Sequence, residues 1–265
     1  MGNDNLGDRI KGYEDINRTK LMERMPVILR CDGKAFHSYT KGCKRPFDEK
    51  LVEVMNDTAE YLCKNIMNAK LAYVQSDEIS ILLTNYNDLN SQSWYDNNIQ
   101  KMVSVAAGMA SAIFTSLSPK IFGVAKMAVF DCRAFVIPKE EVNNAFLWRQ
   151  QDCTRNSVQM VARSLYSHKE LHKKNNSELQ EMIFQKGINW NTLPTEQRRG
   201  RCIVKKQVVK EAAVRSQWTV DNEIPIFSQD KNYIEQYVYP APKDLEAEKA
   251  PKMGSLYEMV KAGKL

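Results

Sequence analysis

Several common features are missing from this sequence, and each absence removes a class of protein. No uninterrupted apolar run reaches the ~20 residues of a membrane span. The longest, Met102 to Phe114, is rich in Ala, Gly and Ser and is broken by Ser104 and Ser111. The six cysteines (Cys31, Cys43, Cys63, Cys132, Cys153 and Cys202) contain no Cys-x-x-Cys pair, so neither a structural zinc site nor a thioredoxin-like motif is readable. Cys31, Cys132 and Cys202 fall in apolar, strand-like runs, where a thiol behaves as a small buried hydrophobe. There is no internal repeat and no low-complexity tract. The N-terminus is polar and acidic, unlike a signal peptide, and Leu6 spoils a myristoylation pattern. These absences predict a soluble, cytoplasmic protein with reduced thiols and no membrane partner.

What is present is an ordinary globular composition. The chain has 265 residues, 43% hydrophobic and 26% charged, enough for one large domain or two packed ones. The net charge of +6 is modest, but its distribution is uneven. Gln197 to Lys210 holds six basic residues and no acid. Two smaller basic groups lie at Lys41, Lys44 and Arg45, and at Lys169, Lys173 and Lys174. Such clusters favour phosphate-rich partners through counterion release, although a solvated face explains any one of them equally well.

Periodicity orders the first half of the chain. Met25 to Asp32 reads as a strand opened by a proline. Asp48 to Met67 reads as a helix, with Asp48 as its N-cap. Leu71 to Gln75 and Ile79 to Thr84 flank Ser76-Asp77-Glu78, the pattern of a hairpin with an acidic tip. A helix over Asp96 to Ser116 and a strand over Ala128 to Ile137 follow. The order is β-α-β-β-α-β, an α+β, ferredoxin-like unit. In that topology Asp32 and Asp77 converge at one edge of the sheet. Beyond Pro138 we expect a helix from Lys139 to Tyr166 and a shorter one with a capping box at Ser177 and Gln180. Strands follow at Cys202 to Lys206 and Gln217 to Val220. The expected division is a catalytic unit over 1–138, an α/β extension over 139–240, and a charged tail over 241–265.

Two carboxylates converging beside Gly33 suit a hard divalent cation such as Mg²⁺, which neutralises phosphates and orients them for transfer. A lone Asp-Gly is more often a plain turn. Together, at these places of a βαββαβ pattern, they suggest a polymerase-like palm. The strings go further. Arg30-Cys31-Asp32-Gly33-Lys34-Ala35-Phe36-His37 resembles the R-x-D-G-x-x-F-H signature of the tRNA-histidine guanylyltransferase family, and Gln75-Ser76-Asp77-Glu78-Ile79-Ser80 its Q-S-D-E-x-S hallmark. Phe130 to Arg133, Trp148 to Cys153 and, more weakly, Gly187 to Asn191 match further motifs in the family's order.

The resemblance implies a palm fold and nucleotide addition to the 5′ end of tRNA, with ATP, GTP and other NTPs as substrates. It implies two Mg²⁺ ions held by Asp32, the Gly33 carbonyl and Asp77, with Glu78 in support. It gives Lys34, Phe36, His37, Asp48, Ser76 and Lys101 to the nucleotide. Arg133, Arg149, Asp152 and Asn156 go to the activation site, and Arg198, Arg199 and Arg201 to RNA phosphates. The family implies a homotetramer. One departure matters: Thr154-Arg155-Asn156-Ser157 stands where the eukaryotic enzymes carry a His followed by N-N-L-Y-N. This favours the like-protein branch, which repairs 5′ ends against a template, over the alternative of single-guanylate addition to tRNA-histidine.

Rival readings are weaker. An RNA-binding RRM shares the βαββαβ order but stacks bases on aromatics of strands one and three, and Ile79 to Thr84 has none. The signature of diguanylate cyclases is absent. His168 and His172 have a spacing that could hold zinc, yet no third ligand is apparent.

Overall fold

The computed structural model describes residues 5–210 and 213–239, so the expected tail over 241–265 lies outside the described residues. The chain opens with α1 (Leu6–Asp15), β1 (Val27–Gly33), a short α2 (Phe36–Tyr39) and α3 (Glu49–Asn65). The hairpin β2 (Ala69–Gln75) and β3 (Glu78–Leu83) is followed by α4 (Ile99–Leu117), α5 (Pro119–Phe122) and β4 (Phe130–Val136). Then come α6 (Val142–Leu165), α7 (His168–Leu171), α8 (Asn176–Gln185) and α9 (Thr195–Arg199). A second hairpin, β5 (Arg201–Lys210) and β6 (Ala213–Asp221), and α10 (Asn232–Val238) complete it.

The six strands form one antiparallel sheet in the order β4-β1-β3-β2-β5-β6. Its first four strands, with α3 and α4 as crossovers, are the expected ferredoxin-like unit. There is no break in the sheet at Pro138, because β5 pairs directly with β2.

Both faces of the sheet are covered, which explains why β3 is buried along its whole length. One face carries Leu29, Cys31, Val74, Ile79 and Ile81 against α3 and α4. The other carries Ile28, Leu71, Tyr73 and Leu82 against Phe146 of α6 and Ile234 and Val238 of α10. Each fully buried Leu or Ile contributes roughly 1.5–3 kcal/mol. Ile99–Phe122 has the length and composition of a membrane span, yet Met102, Ala106, Ala110 and Phe114 form a stripe buried in the core.

Caps set the helix starts. Asp48 caps α3 as expected, accepting from the backbone of Lys50 and Leu51. The start of α4 is corrected by three residues, from Asp96 to Ile99: Asn98 accepts from the Lys101 N–H, while Asp96 sits in a kinked turn at φ 52°. The α8 capping box is Asn175 with Glu178, not Ser177 with Gln180. The same spacing recurs two residues earlier, where a charged carboxylate accepts from the cap backbone at 2.9 Å. The short helices α2, α5, α7 and α9, and also α1 and α10, are not legible in the pattern; none of α1's residues is buried.

Gly200, between α9 and β5, has φ +80°, and a Cβ there would stand 2.7 Å from Tyr73 Oη and 2.8 Å from the Val74 carbonyl. Tyr73 itself donates to the Arg199 carbonyl. Gly200→Ala should therefore cost about 1–3 kcal/mol through strain and displacement of Tyr73. Urea unfolding of the variant checks this, and an unchanged midpoint would refute the account.

Candidate active site

The site grows out of β1. The strand runs through Arg30-Cys31-Asp32 and ends at Gly33. On one side β4 presents Asp131-Cys132-Arg133 antiparallel to it, so like pairs with like: Arg30 with Arg133, Cys31 with Cys132, Asp32 with Asp131. On the other side β3 sets Glu78 opposite Asp32 and Ser80 opposite Arg30. Directly opposed residues share a face and lie about 4.5–5.5 Å apart at Cβ. Asp131, Asp32 and Glu78 thus make an acidic row across three strands, and Arg133 and Arg30 a basic row beside it.

Asp77 joins this row from the hairpin turn. Ser76 takes a left-handed conformation at φ 46°, a cost that non-glycine residues bear chiefly at functional sites. The Gly33 N–H donates to the Asp77 carbonyl at 3.1 Å, which ties the end of β1 to the turn. Gly33 has no room for a side chain, since a Cβ would fall 2.3 Å from the Phe36 ring. The expected convergence of Asp32 and Asp77 is therefore present, whereas Glu78 belongs to the strand and not to the tip.

Electrostatics follow from this crowding. Burial and then the charges of Asp77, Glu78 and Asp131 push the Asp32 carboxyl up, and Arg133 offsets only part. Burial also raises Asp77, against hydrogen bonds from Ser76 and its own backbone, and Glu78 adds to the rise. Glu78 has its own partner: Arg149 of α6 donates from Nε to Oε1 at 2.7 Å and from Nη2 to Oε2 at 2.7 Å. Arg149 also pairs with Asp152 at 2.8 Å, and Asp152 accepts from Arg155 at 2.9 Å. Burial would raise Asp152, but the hydrogen bond from Arg155 and the charge of Arg149 hold it below the usual range. Both Arg30 and Arg149 lie over the half-exposed Trp148 ring.

A cavity of about 440 Å³ opens beside Asp77 and Ser76. His37, Asp48, Asn156 and Arg201 also line it. Its size suits a nucleotide-sized ligand. Other expected residues are placed differently. Phe36 borders the cavity but is buried among Tyr39, Phe114 and Phe130, with ring centroids 4.8–5.3 Å away; its side chain serves the core. Lys101 lies exposed on the first turn of α4 and Lys34 is exposed after β1; neither lines the cavity. Arg198 bonds the Leu193 carbonyl at 2.7 Å, and Arg199 is partly buried.

Arg201 corrects the expectation of a solvated basic stretch, because β5 is an inner strand and buries it. Its guanidinium bonds Asn56 Oδ1 and the Val52 carbonyl, and burial pushes it down to about 10. Asp48 is likewise occupied: Oδ1 accepts from Lys50 and Leu51, and Oδ2 from Lys44. Sequence reasoning missed Asp131. The mirrored tripeptides Arg-Cys-Asp and Asp-Cys-Arg could have revealed it, since antiparallel pairing aligns them.

An α+β palm with an acidic row beside a nucleotide-sized cavity defines a class, the nucleotidyltransferases. The family profile described as Thg1, tRNAHis guanylyltransferase, matches residues 7–138. A bacterial Thg1-like protein solved in complex with ATP is 51% identical over 89% of this chain and all of its own, with a TM-score of 0.84. A second such structure, in complex with GTP, is 50% identical with the same coverage and a TM-score of 0.79. The tRNA(His) guanylyltransferase of Schizosaccharomyces pombe is 27% identical over 218 residues, 76% of this chain and 81% of its own. The chain belongs to the tRNA-histidine guanylyltransferase (Thg1) family.

Glu78 and Arg149 are each nearly enclosed, with side chains 9% and 12% exposed. Arg149→Met should leave Glu78 buried and unpaired at a cost of about 3–5 kcal/mol. Adding Glu78→Gln to that variant should recover most of the loss. A double variant no more stable than Arg149→Met would show that the pair does not carry the effect.

Proposed function

We propose that this protein adds nucleotides to the 5′ end of tRNA in the 3′-to-5′ direction, templated by the opposite strand, and so repairs truncated acceptor ends. The observation that carries the reading is the meeting of Asp32 with Asp77, and Asp77 lines the cavity. Growth at a 5′ end makes the RNA's own 5′-phosphate the electrophile and the incoming nucleotide's 3′-hydroxyl the nucleophile. A leaving group must first be placed on that phosphate, which gives a role to an activating nucleotide, ATP or GTP. The relatives solved with ATP and with GTP support both roles.

Two carboxyls raised by burial and by neighbouring carboxylates suit a cation. Among the described residues no cluster of three His, Cys, Asp or Glu side chains offers itself. A cation held by Asp32 and Asp77 would complete its shell from backbone, water and substrate oxygens, as Mg²⁺ does and zinc does not. When bound, such an ion would neutralise the phosphates and favour attack at phosphorus. His37, Ser76 and Asn156 would contact the nucleotide within the cavity, and Arg133 with Arg30 would meet phosphate charge on the sheet face.

Templated addition is favoured over single-guanylate addition by two observations. The identity is 51% to a bacterial like-protein against 27% to the fission yeast guanylyltransferase. Asp48, the cavity carboxylate expected to read a base, is filled by three backbone amides. In tRNAs lacking their first nucleotide, with each of the four bases opposite the gap, the added nucleotide should follow the template. Guanylate added whatever the template, and only to tRNA-histidine, would overturn this reading. We extend the proposal to a homotetramer, in which the exposed Leu6, Ile10 and Tyr13 of α1 would have a surface to cover.

Asp32→Asn should abolish addition and yet stabilise the metal-free protein. Each like-charge cross-strand pair costs roughly 0.2–1 kcal/mol, so a gain of about 1–3 °C in Tm is expected at neutral pH. The Asp32 carboxyl is raised in the fold, so its protonated form is the stabilising one. That contribution is full below the unfolded value of about 3.9 and lost as pH rises through the folded value. The Tm difference between the variant and the natural protein should thus shrink as pH falls toward about 4. Mg²⁺ should raise the Tm of the natural protein and not that of the variant. A variant stabilised by Mg²⁺ as strongly as the natural protein would remove Asp32 from the cation site.

A further inference from the structure

Beside the nucleotide cavity lies a second one of about 390 Å³, bordered by Arg45, Arg163, His168, His172, Lys173 and Tyr166 together with Leu171. The two cavities share Arg45 and Arg163. No carboxylate lines the outer one. Among the described residues, Arg45, Arg163 and Lys173 have no ion-pair partner; Arg163 donates only to the neutral Gln159, at 3.2 Å. The nearest acid in sequence, Glu170, is turned onto the backbone and hydroxyl of Ser167. Three permanent cations and two imidazoles therefore converge without compensation, which disfavours zinc at His168 and His172 and favours an anion.

The walls say which kind of anion. Tyr166 is the sole Phe, Tyr or Trp lining this cavity; its hydroxyl is committed to the Met182 carbonyl at 2.7 Å and its ring is covered by Lys186. Arg45, Arg163 and Lys173, with no carboxylate among the lining, make a wall that suits phosphate. We infer that this outer cavity binds backbone phosphates of the RNA strand whose end enters the nucleotide cavity, Arg45 and Arg163 marking the passage between the two. The inference rests on the proposed action on tRNA, and free triphosphate is the other source of the same chemistry.

The test is a binding titration, which needs no turnover. The natural protein, Lys173→Ala and His172→Asn are titrated with 5′-truncated tRNA over a range of salt, and separately with ATP. Both substituted positions are exposed, so thermal melts should coincide. For Lys173→Ala the slope of log affinity against log salt should fall by about one, with RNA affinity down a few-fold to about tenfold. The loss should be alike for an unrelated RNA duplex, as expected for phosphate contacts. ATP affinity should stay within about twofold. An unchanged RNA slope in Lys173→Ala would overturn the inference. So would a loss of ATP affinity with RNA binding intact, which would assign the cavity to the triphosphate of a free nucleotide. Failure of the natural protein to extend truncated tRNA would count against the proposed function instead, since the binding result stands without it.

Discussion

The constraint on which the rest depends is the antiparallel registration of Arg30-Cys31-Asp32 with Asp131-Cys132-Arg133. Backbone pairing alone fixes it, and it sets carboxylate against carboxylate and guanidinium against guanidinium. β3 then adds Glu78 to the acidic row. In isolation such rows are unfavourable, because like charges directly opposed in a sheet repel. The repulsion cannot relax by sliding, since a shift of one residue would turn Cys31 and Leu29, both wholly buried, out of the core. The hydrophobic face of β1 thereby holds the polar face in a charge arrangement that is satisfied only by ligands of opposite sign.

Of Asp32, Asp77 and Glu78, the fold relieves one carboxylate and leaves the other two. Arg149 engages both oxygens of Glu78, so that charge is neutralised within the protein. Asp152 holds the other side of Arg149. Their helix is fixed in turn by the C-terminal segment: Gln150 donates to the Pro225 carbonyl and accepts from the Phe227 N–H, while Asn143 donates to the Phe227 carbonyl. Residues after β6 thus determine where Arg149 stands, and through it the state of Glu78. This dependence explains physically why the site is not contained in the βαββαβ unit alone. Asp32 and Asp77 receive no such partner and stay raised.

Local signals were the legible ones. The two-residue turn between β2 and β3, the cap at Asp48 and the apolar period of α3 each depend on neighbours in sequence, and the βαββαβ order follows from them. The convergence of Asp32 and Asp77 followed from topology. What escaped depended on partners far along the chain. Arg201 reads as one of six bases in a basic stretch, and only the pairing of β5 with β2 makes it interior. Asp131 reads as an ordinary acid until β4 is laid against β1. Phe36 belongs to a nucleotide-binding string, yet its ring fills the space that Gly33 leaves open. α10 is seven residues long and its signal is Ile234 and Val238, buried by a face formed from β2 and β5.

The inner cavity bears on selectivity. A pocket rejects a wrong base strongly only when its own buried donors and acceptors would be left unpaired by it. Here two of the charged side chains that line the cavity, Asp48 and Arg201, are already engaged by the protein. Asp48 is saturated by backbone amides, and two of the Arg201 contacts go to Asn56 and Val52. Arg201 forms no ion pair among the described residues, and in the proposed reaction its charge would attract phosphate whatever the base attached to it. In the proposed reaction such a cavity would hold a nucleotide by its anionic end. The choice among four bases then has to come from outside it, and in the proposed reaction the opposite strand is the group positioned to make it.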